Sequence, residues 1–237
     1  MKKCGFTLAE TLLALAIVGV VAAMTIPMLV NSHQKQVCAA SLSAAVSDME
    51  NALSAMIMSE GVDVLTETAF YNAESVSDSS EALQNHFELQ KSTETPSSFY
   101  NSITVKDLNG SKTDLITGNT YFSKKGVLYI FKVNSDNSGM SDAEALASGT
   151  NLSKKVYDLV IDVNGSKKPN IVGRDIFGFA IGEDGHLFPY GGKDYAKYSG
   201  TGTWNESGGD YSCMDGATVS GWGCTARLIE HVYKMDY

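Results

Sequence analysis

Residues 11–32 contain no Asp, Glu, Lys, Arg or His, and this run constrains the chain more than any other feature. As a helix rising about 1.5 Å per residue it reaches roughly 33 Å, enough for a hydrocarbon core of about 30 Å. Lys2 and Lys3 precede it, and His33 and Lys35 follow it. Two lysines on so short a tail favour a cytoplasmic N-terminus with the rest of the chain outside. The alternative is a secretory signal peptide, whose apolar core is about 7–15 residues and ends at a small-x-small site. Val21-Ala22-Ala23 is such a site, but the run is long for a signal peptide. A membrane-spanning anchor is the expectation.

Two residues of this segment are costly and need a task. A carboxylate in a membrane helix is expensive and usually faces a partner. Glu10 stands near the entry, and no Lys or Arg lies within the span to pair with it. A cut between Gly5 and Phe6 would create a partner, because the new α-amino group of Phe6 is positively charged at neutral pH. Paired with Glu10 of a neighbouring copy, it would turn a penalty for the isolated chain into a drive to assemble. Pro27, near the exit, removes a hydrogen bond to the carbonyl of Ala23, and its ring clashes there.

A short basic leader, Gly5, then Phe6-Thr7-Leu8-Ala9-Glu10, then an unbroken apolar helix: in this pattern residues 1–36 resemble the N-terminus of type IV prepilins and type II secretion pseudopilins. The resemblance implies cleavage after Gly5 by a prepilin peptidase and N-methylation of Phe6. It implies that Glu10 sets subunit register, and that Pro27 kinks the helix and lets it loosen inside a filament. The implied partners are copies of this chain, other pilins or pseudopilins, and an inner-membrane assembly platform. The leader is short and carries Cys4, which cleavage discards. The resemblance is specific over 36 of 237 residues and weakens to a pattern beyond them.

The expected organisation is a leader at 1–5, a transmembrane and assembly helix at 6–32, its continuation against the head at 33–60, and a globular head at 61–237. The expected location is the inner, or cytoplasmic, membrane, crossed once with the head outside, and then an extracytoplasmic filament. The formal charge is −9, and loss of Lys2 and Lys3 makes it two units more negative. That balance excludes a general nucleic-acid surface, which needs clustered Lys and Arg. About 200 residues beyond the anchor suffice for one domain with a core of its own.

Past the membrane the helical pattern continues. Leu42, Val46, Met49, Leu53 and Met56 recur at spacings of four, three, four and three, an apolar stripe on one helix face, and Gly61 is a stop signal. A coiled-coil partner and the protein's own sheet are the two surfaces that would cover the stripe. Two heptads are short for a coiled coil, which favours the sheet. The whole is then one helix of about 50 residues, the architecture the resemblance implies.

The head reads as α+β with an antiparallel sheet of about four or five strands and a loop-rich C-terminal region. Residues 62–80 lack a period and read as a surface loop. Asp78-Ser79-Ser80-Glu81 has capping-box spacing before a short helix over 81–90, and Ser141-Asp142-Ala143-Glu144 repeats the device. Strand pairs are expected around Lys124, Lys125 and Gly126, and around Glu183, Asp184 and Gly185, with a turn at Asn164-Gly165.

Asp162, Asn164, Asp175, Glu183 and Asp184 supply hard oxygen ligands, and some pseudopilins hold calcium in such a loop. Their spacing misses the EF-hand pattern, and turn chemistry, in which Asn and Asp bond their own backbone, is the favoured account of them. Calcium is a weak expectation and no other cofactor is expected. After the leader is lost, Cys38, Cys213 and Cys224 remain. If the head is exported, the compartment is oxidising, and Cys213 with Cys224 resembles the disulfide-closed C-terminal loop of many type IV pilins. Cys38, on the helix, is expected to be buried as a small apolar residue.

No enzyme is legible. His33, His86, His186 and His231 are scattered without an HxH or HExxH motif, and there is no GxSxG, Walker loop or GxGxxG. The glycine-rich stretch 198–211 reads as an exposed loop. Tyr190, Tyr195, Tyr198, Trp204, Tyr211 and Trp222 form either a binding surface or a small core. Three functions remain open: a structural pilin or pseudopilin, a minor or tip subunit whose head binds a surface, secreted protein or DNA, and an unrelated exported domain on a signal-anchor. The pattern from Gly5 to Glu10, with Pro27, separates the first two from the third.

Overall fold

The computed structural model describes residues 7–73, 76–87, 89–90, 104–115, 118–133, 144, 147–165, 167–200, 202–204, 211, 213 and 220–237. The chain divides into two compact units, Met1–Val37 and Cys38–Tyr237. Helix α1, Leu8–Glu60, contributes to both.

In the first unit α1 runs through Pro27 without a break in its helical assignment. The Thr25 hydroxyl donates to the carbonyl of Val21 at 3.0 Å, in the turn before the proline. Leu8, Leu12, Leu13, Leu15, Met24, Met28 and Leu29 are all exposed, and the apolar window of the helix has no buried residue. The segment is long and apolar enough to cross a membrane.

In the second unit the same helix turns amphipathic. Leu42, Met49, Leu53 and Met56 are fully buried, with Ala39, Ala45, Val46 and Ala52 beside them. The stripe packs on the protein's own sheet, the surface favoured by its short length. The helix ends at Glu60, and Gly61 follows with φ +68°, a conformation that costs glycine nothing.

The sheet has six antiparallel strands among the described residues, in simple sequential order. They are β1 (Leu89–Gln90), β2 (Asn119–Ser123), β3 (Leu128–Val133), β4 (Lys155–Asp162), β5 (Ile176–Gly182) and β6 (Leu187–Pro189). Tyr129 faces Ile161 and Ile161 faces Phe177; Phe131 faces Leu159 and Leu159 faces Phe179. These side chains share the face that receives α1. The opposite face buries Leu128, Ile130, Val160 and Ile176 under Val105 and Val172. Both faces are covered, so β5 is buried along its whole length and reads as a continuous apolar run rather than an alternation. Polar ties also join helix and sheet: Lys125 pairs with Asp48, and the Leu187 amide donates to Glu50 Oε1 at 3.2 Å.

Three expectations need correction. The sheet has six strands rather than four or five, because β1 adds a two-residue edge paired with Phe122 and Ser123. That edge takes Leu89 and Gln90 out of the expected helix. Helix α2 is Val76–Gln84 instead, with Asp78 inside its first turn rather than at its cap. Ser79 is turned inward, its hydroxyl 2.6 Å from that of Tyr121. Finally, residues 62–80 do not form a surface loop: Leu65 and Phe70 are buried, and the Phe70 ring packs edge-on against Phe131 at 5.3 Å. Burial of two isolated apolar residues leaves no periodicity to read. Ser141, Asp142 and Ala143 lie outside the described residues.

Among the described residues two short helices close the C-terminal region, α3 (Lys193–Ser199) and α4 (Cys224–Glu230).

Candidate functional site

The N-terminal determinants are placed as follows. Gly5 and Phe6 lie outside the described residues. Glu10 starts α1 in a reciprocal cap: the amide and hydroxyl of Thr7 both donate to its Oε2 at 2.8 Å, and its own amide donates to Thr7 Oγ1 at 3.3 Å. This is a capping box, and the Thr-x-x-Glu spacing that announces it was open to sequence reasoning, which read Glu10 only as a charge awaiting a partner. The two roles are compatible, because the carboxylate remains on an exposed helix terminus.

The five oxygen-ligand candidates fall into two groups at opposite ends of the β4–β5 pair. Asp162 and Asp175 are fully buried where β4 ends and β5 begins. Asp175 accepts the amides of Asn170 and Ile171, both at 2.7 Å, and the side-chain amide of Asn164 at 3.1 Å. Glu183 and Asp184 sit in the β5–β6 turn. Ser153 donates to Glu183 and the His186 amide to Asp184. Among the described residues no three His, Cys, Asp or Glu side chains converge. One ion does not bridge the length of a strand, and these contacts are the turn chemistry weighed against calcium.

Burial is the main cause that holds the Asp175 carboxyl above its ordinary range, against the opposing effect of the amides it accepts. Folding therefore favours its protonated form, a contribution full in acid and lost as pH rises through the raised folded value. Urea unfolding should show the stability of the parent, relative to Asp175→Asn, declining from acid to neutral pH. Cys38 is half-buried against the helix-facing core. Burial first, then the charges of Asp175 and Asp162, pushes its thiol up to about 11, so it stays protonated and unreactive at neutral pH.

Cys213 and Cys224 form a disulfide, with Cα atoms 4.8 Å apart and both residues buried. Arg227 of α4 donates to the Cys213 carbonyl at 2.8 Å, pairs with Asp236 at 3.1 Å and lies over the rings of Trp204 and Tyr237. The Tyr237 hydroxyl reaches back to the Gly173 carbonyl at 2.8 Å. The C-terminal tail is thereby clamped to the sheet. In the chain-entropy account, closing a loop of this size contributes about 3 kcal/mol. Reduction should lower the denaturant midpoint by a corresponding amount, read by unfolding with and without a thiol reductant.

The aromatic residues of the tail divide between core and cleft. Tyr190 and Tyr195 are buried with Leu152, Ala180 and Phe188, and Tyr198, Tyr211 and Trp222 pack around them. Trp204 stands apart, its indole N–H donating to Glu230 at 2.7 Å. The Tyr190 ring packs against Gly178 of β5, where an added Cβ would come within 2.3 Å of that ring and 2.9 Å of Trp222. Gly178→Ala should cost about 1–3 kcal/mol through this overpacking and shift tryptophan emission. A change within experimental error in both would contradict this packing.

Residues 1–26 match the prokaryotic N-terminal methylation motif, the signature of type IV prepilins and pseudopilins. No match is found among curated proteins or among solved structures. The motif, the exposed apolar half of α1 and the α+β head are together similar to those of type IV pilin- or pseudopilin-like subunits.

Proposed function

We propose that this protein is a structural subunit of a type IV pilus or a type II secretion pseudopilus. A prepilin peptidase cuts after Gly5, Phe6 is methylated, and the apolar half of α1 anchors the chain in the inner membrane with its head outside the cytoplasm. An assembly platform then extracts it, and α1 packs against the helices of other copies and of other pilins or pseudopilins. The observation that carries this reading is the methylation motif on a helix whose N-terminal half, from Leu8 to Val30, leaves its large apolar side chains exposed in the single chain. Such a surface needs lipid or neighbouring helices to cover it.

The intact mass and N-terminal peptide of the protein purified from its own membranes test the proposal. A chain beginning at N-methyl-Phe6 is the expected result. A chain beginning at Met1, or cut near Ala23, would overturn it.

A further inference from the structure

On the sheet face away from α1, the head holds a cleft of about 460 Å³, within the range of about 300–1,000 Å³ usual for small-molecule sites. Tyr190, Tyr195, Tyr211 and Trp222 form its aromatic wall, and among the described residues three carboxylates, Asp107, Asp114 and Asp158, line it with one ammonium, Lys155. Asp158 is already engaged: Lys155 Nζ donates to both of its oxygens, at 3.0 and 3.1 Å, and the Tyr190 hydroxyl donates to Oδ1 at 2.6 Å. The Tyr195 and Tyr211 hydroxyls satisfy each other at 2.9 Å. Asp107 differs. Thr113 donates to its carboxylate, but Oδ1 is buried without a hydrogen-bond partner among the described residues. Asp114, beside it, is exposed.

We infer that this cleft binds an organic cation, an alkylammonium or guanidinium group with an apolar body. Aromatic faces carry negative quadrupole density and attract such groups. Asp107 and Asp114 supply negative charge at the cleft that Lys155, already paired with Asp158, does not offset. Phosphates and carboxylates are disfavoured by the same carboxylates. A neutral sugar would stack on the rings but leave the excess negative charge uncompensated. The inference rests on the head alone and stands or falls independently of the filament reading.

The test uses the full chain in detergent micelles carrying Trp204→Phe, which leaves Trp222 as the sole tryptophan. Its emission is followed during titration with tetramethylammonium chloride and, separately, with arginine ethyl ester. Sodium chloride at matched ionic strength and glucose serve as controls. The expected result is a saturable change with at least one cation, weakened about tenfold when Asp107→Asn and Asp114→Asn are combined. The tighter of the two cations identifies a quaternary ammonium or a guanidinium side chain as the source. If the double variant melts early, Asp114→Asn alone, at an exposed position, should still weaken binding severalfold. Saturation by neither cation, saturation by glucose alone, or cation binding unaffected by loss of the carboxylates would each overturn the inference.

Discussion

Glu10→Ala should reach the membrane as well as the parent and yet enter filaments at least about tenfold less often, the result expected of a carboxylate that pairs between copies. Sheared filament fractions, compared with membrane fractions by immunoblot, give the ratio. The Thr7–Glu10 capping box makes a second variant informative. Glutamine serves as well as glutamate at the third position of such a box, so Glu10→Gln keeps the cap and removes only the charge. If both variants fail to assemble, charge pairing with the Phe6 amino group is the cause. If Gln assembles and Ala does not, the cap is what matters and the pairing idea fails. Normal incorporation of both removes any assembly role for Glu10.

Leu53→Ala should destabilise the head by about 2–5 kcal/mol, the cost of deleting a buried leucine and leaving a cavity. Leu53 is fully buried among the aromatic and aliphatic side chains of the helix-facing core. Its exposed neighbour Ser54 provides the control, and Ser54→Ala should stay within about 0.5 kcal/mol of the parent. Denaturant unfolding followed by near-ultraviolet circular dichroism reads the head directly. A lower midpoint with an unchanged slope is expected. Unchanged stability accompanied by weaker self-association would instead place the stripe between subunits.

Much of this architecture was legible because two periodicities are long and clean. The apolar stripe from Leu42 to Met56 became the buried face of α1, and the hairpin turns at Lys125 and Asp184 lie where their glycines stand. Short or solitary signals failed. The two residues of β1 owe their extended form to the edge they pair with, not to their own preference. Leu65 and Phe70 are buried by a fold-back that no local pattern announces. The Thr7–Glu10 box was present in the letters but overshadowed by the membrane question.

The sequence by itself determined the N-terminal segment: the uncharged run, with Glu10 before it and Pro27 inside it, and the methylation motif over residues 1–26. Each of these is read in order along one stretch of chain, without contacts from elsewhere in the fold. Only the tertiary structure decided the head's chemistry. It divided the acidic candidates between two ends of a strand pair, and it turned Tyr190, Tyr195, Tyr211 and Trp222 towards one cleft with carboxylates from Asp107 to Asp158. Those groups are far apart in the chain. They meet because a sequential antiparallel sheet and a disulfide-closed tail fold distant segments over the same face, a proximity that no local spacing encodes.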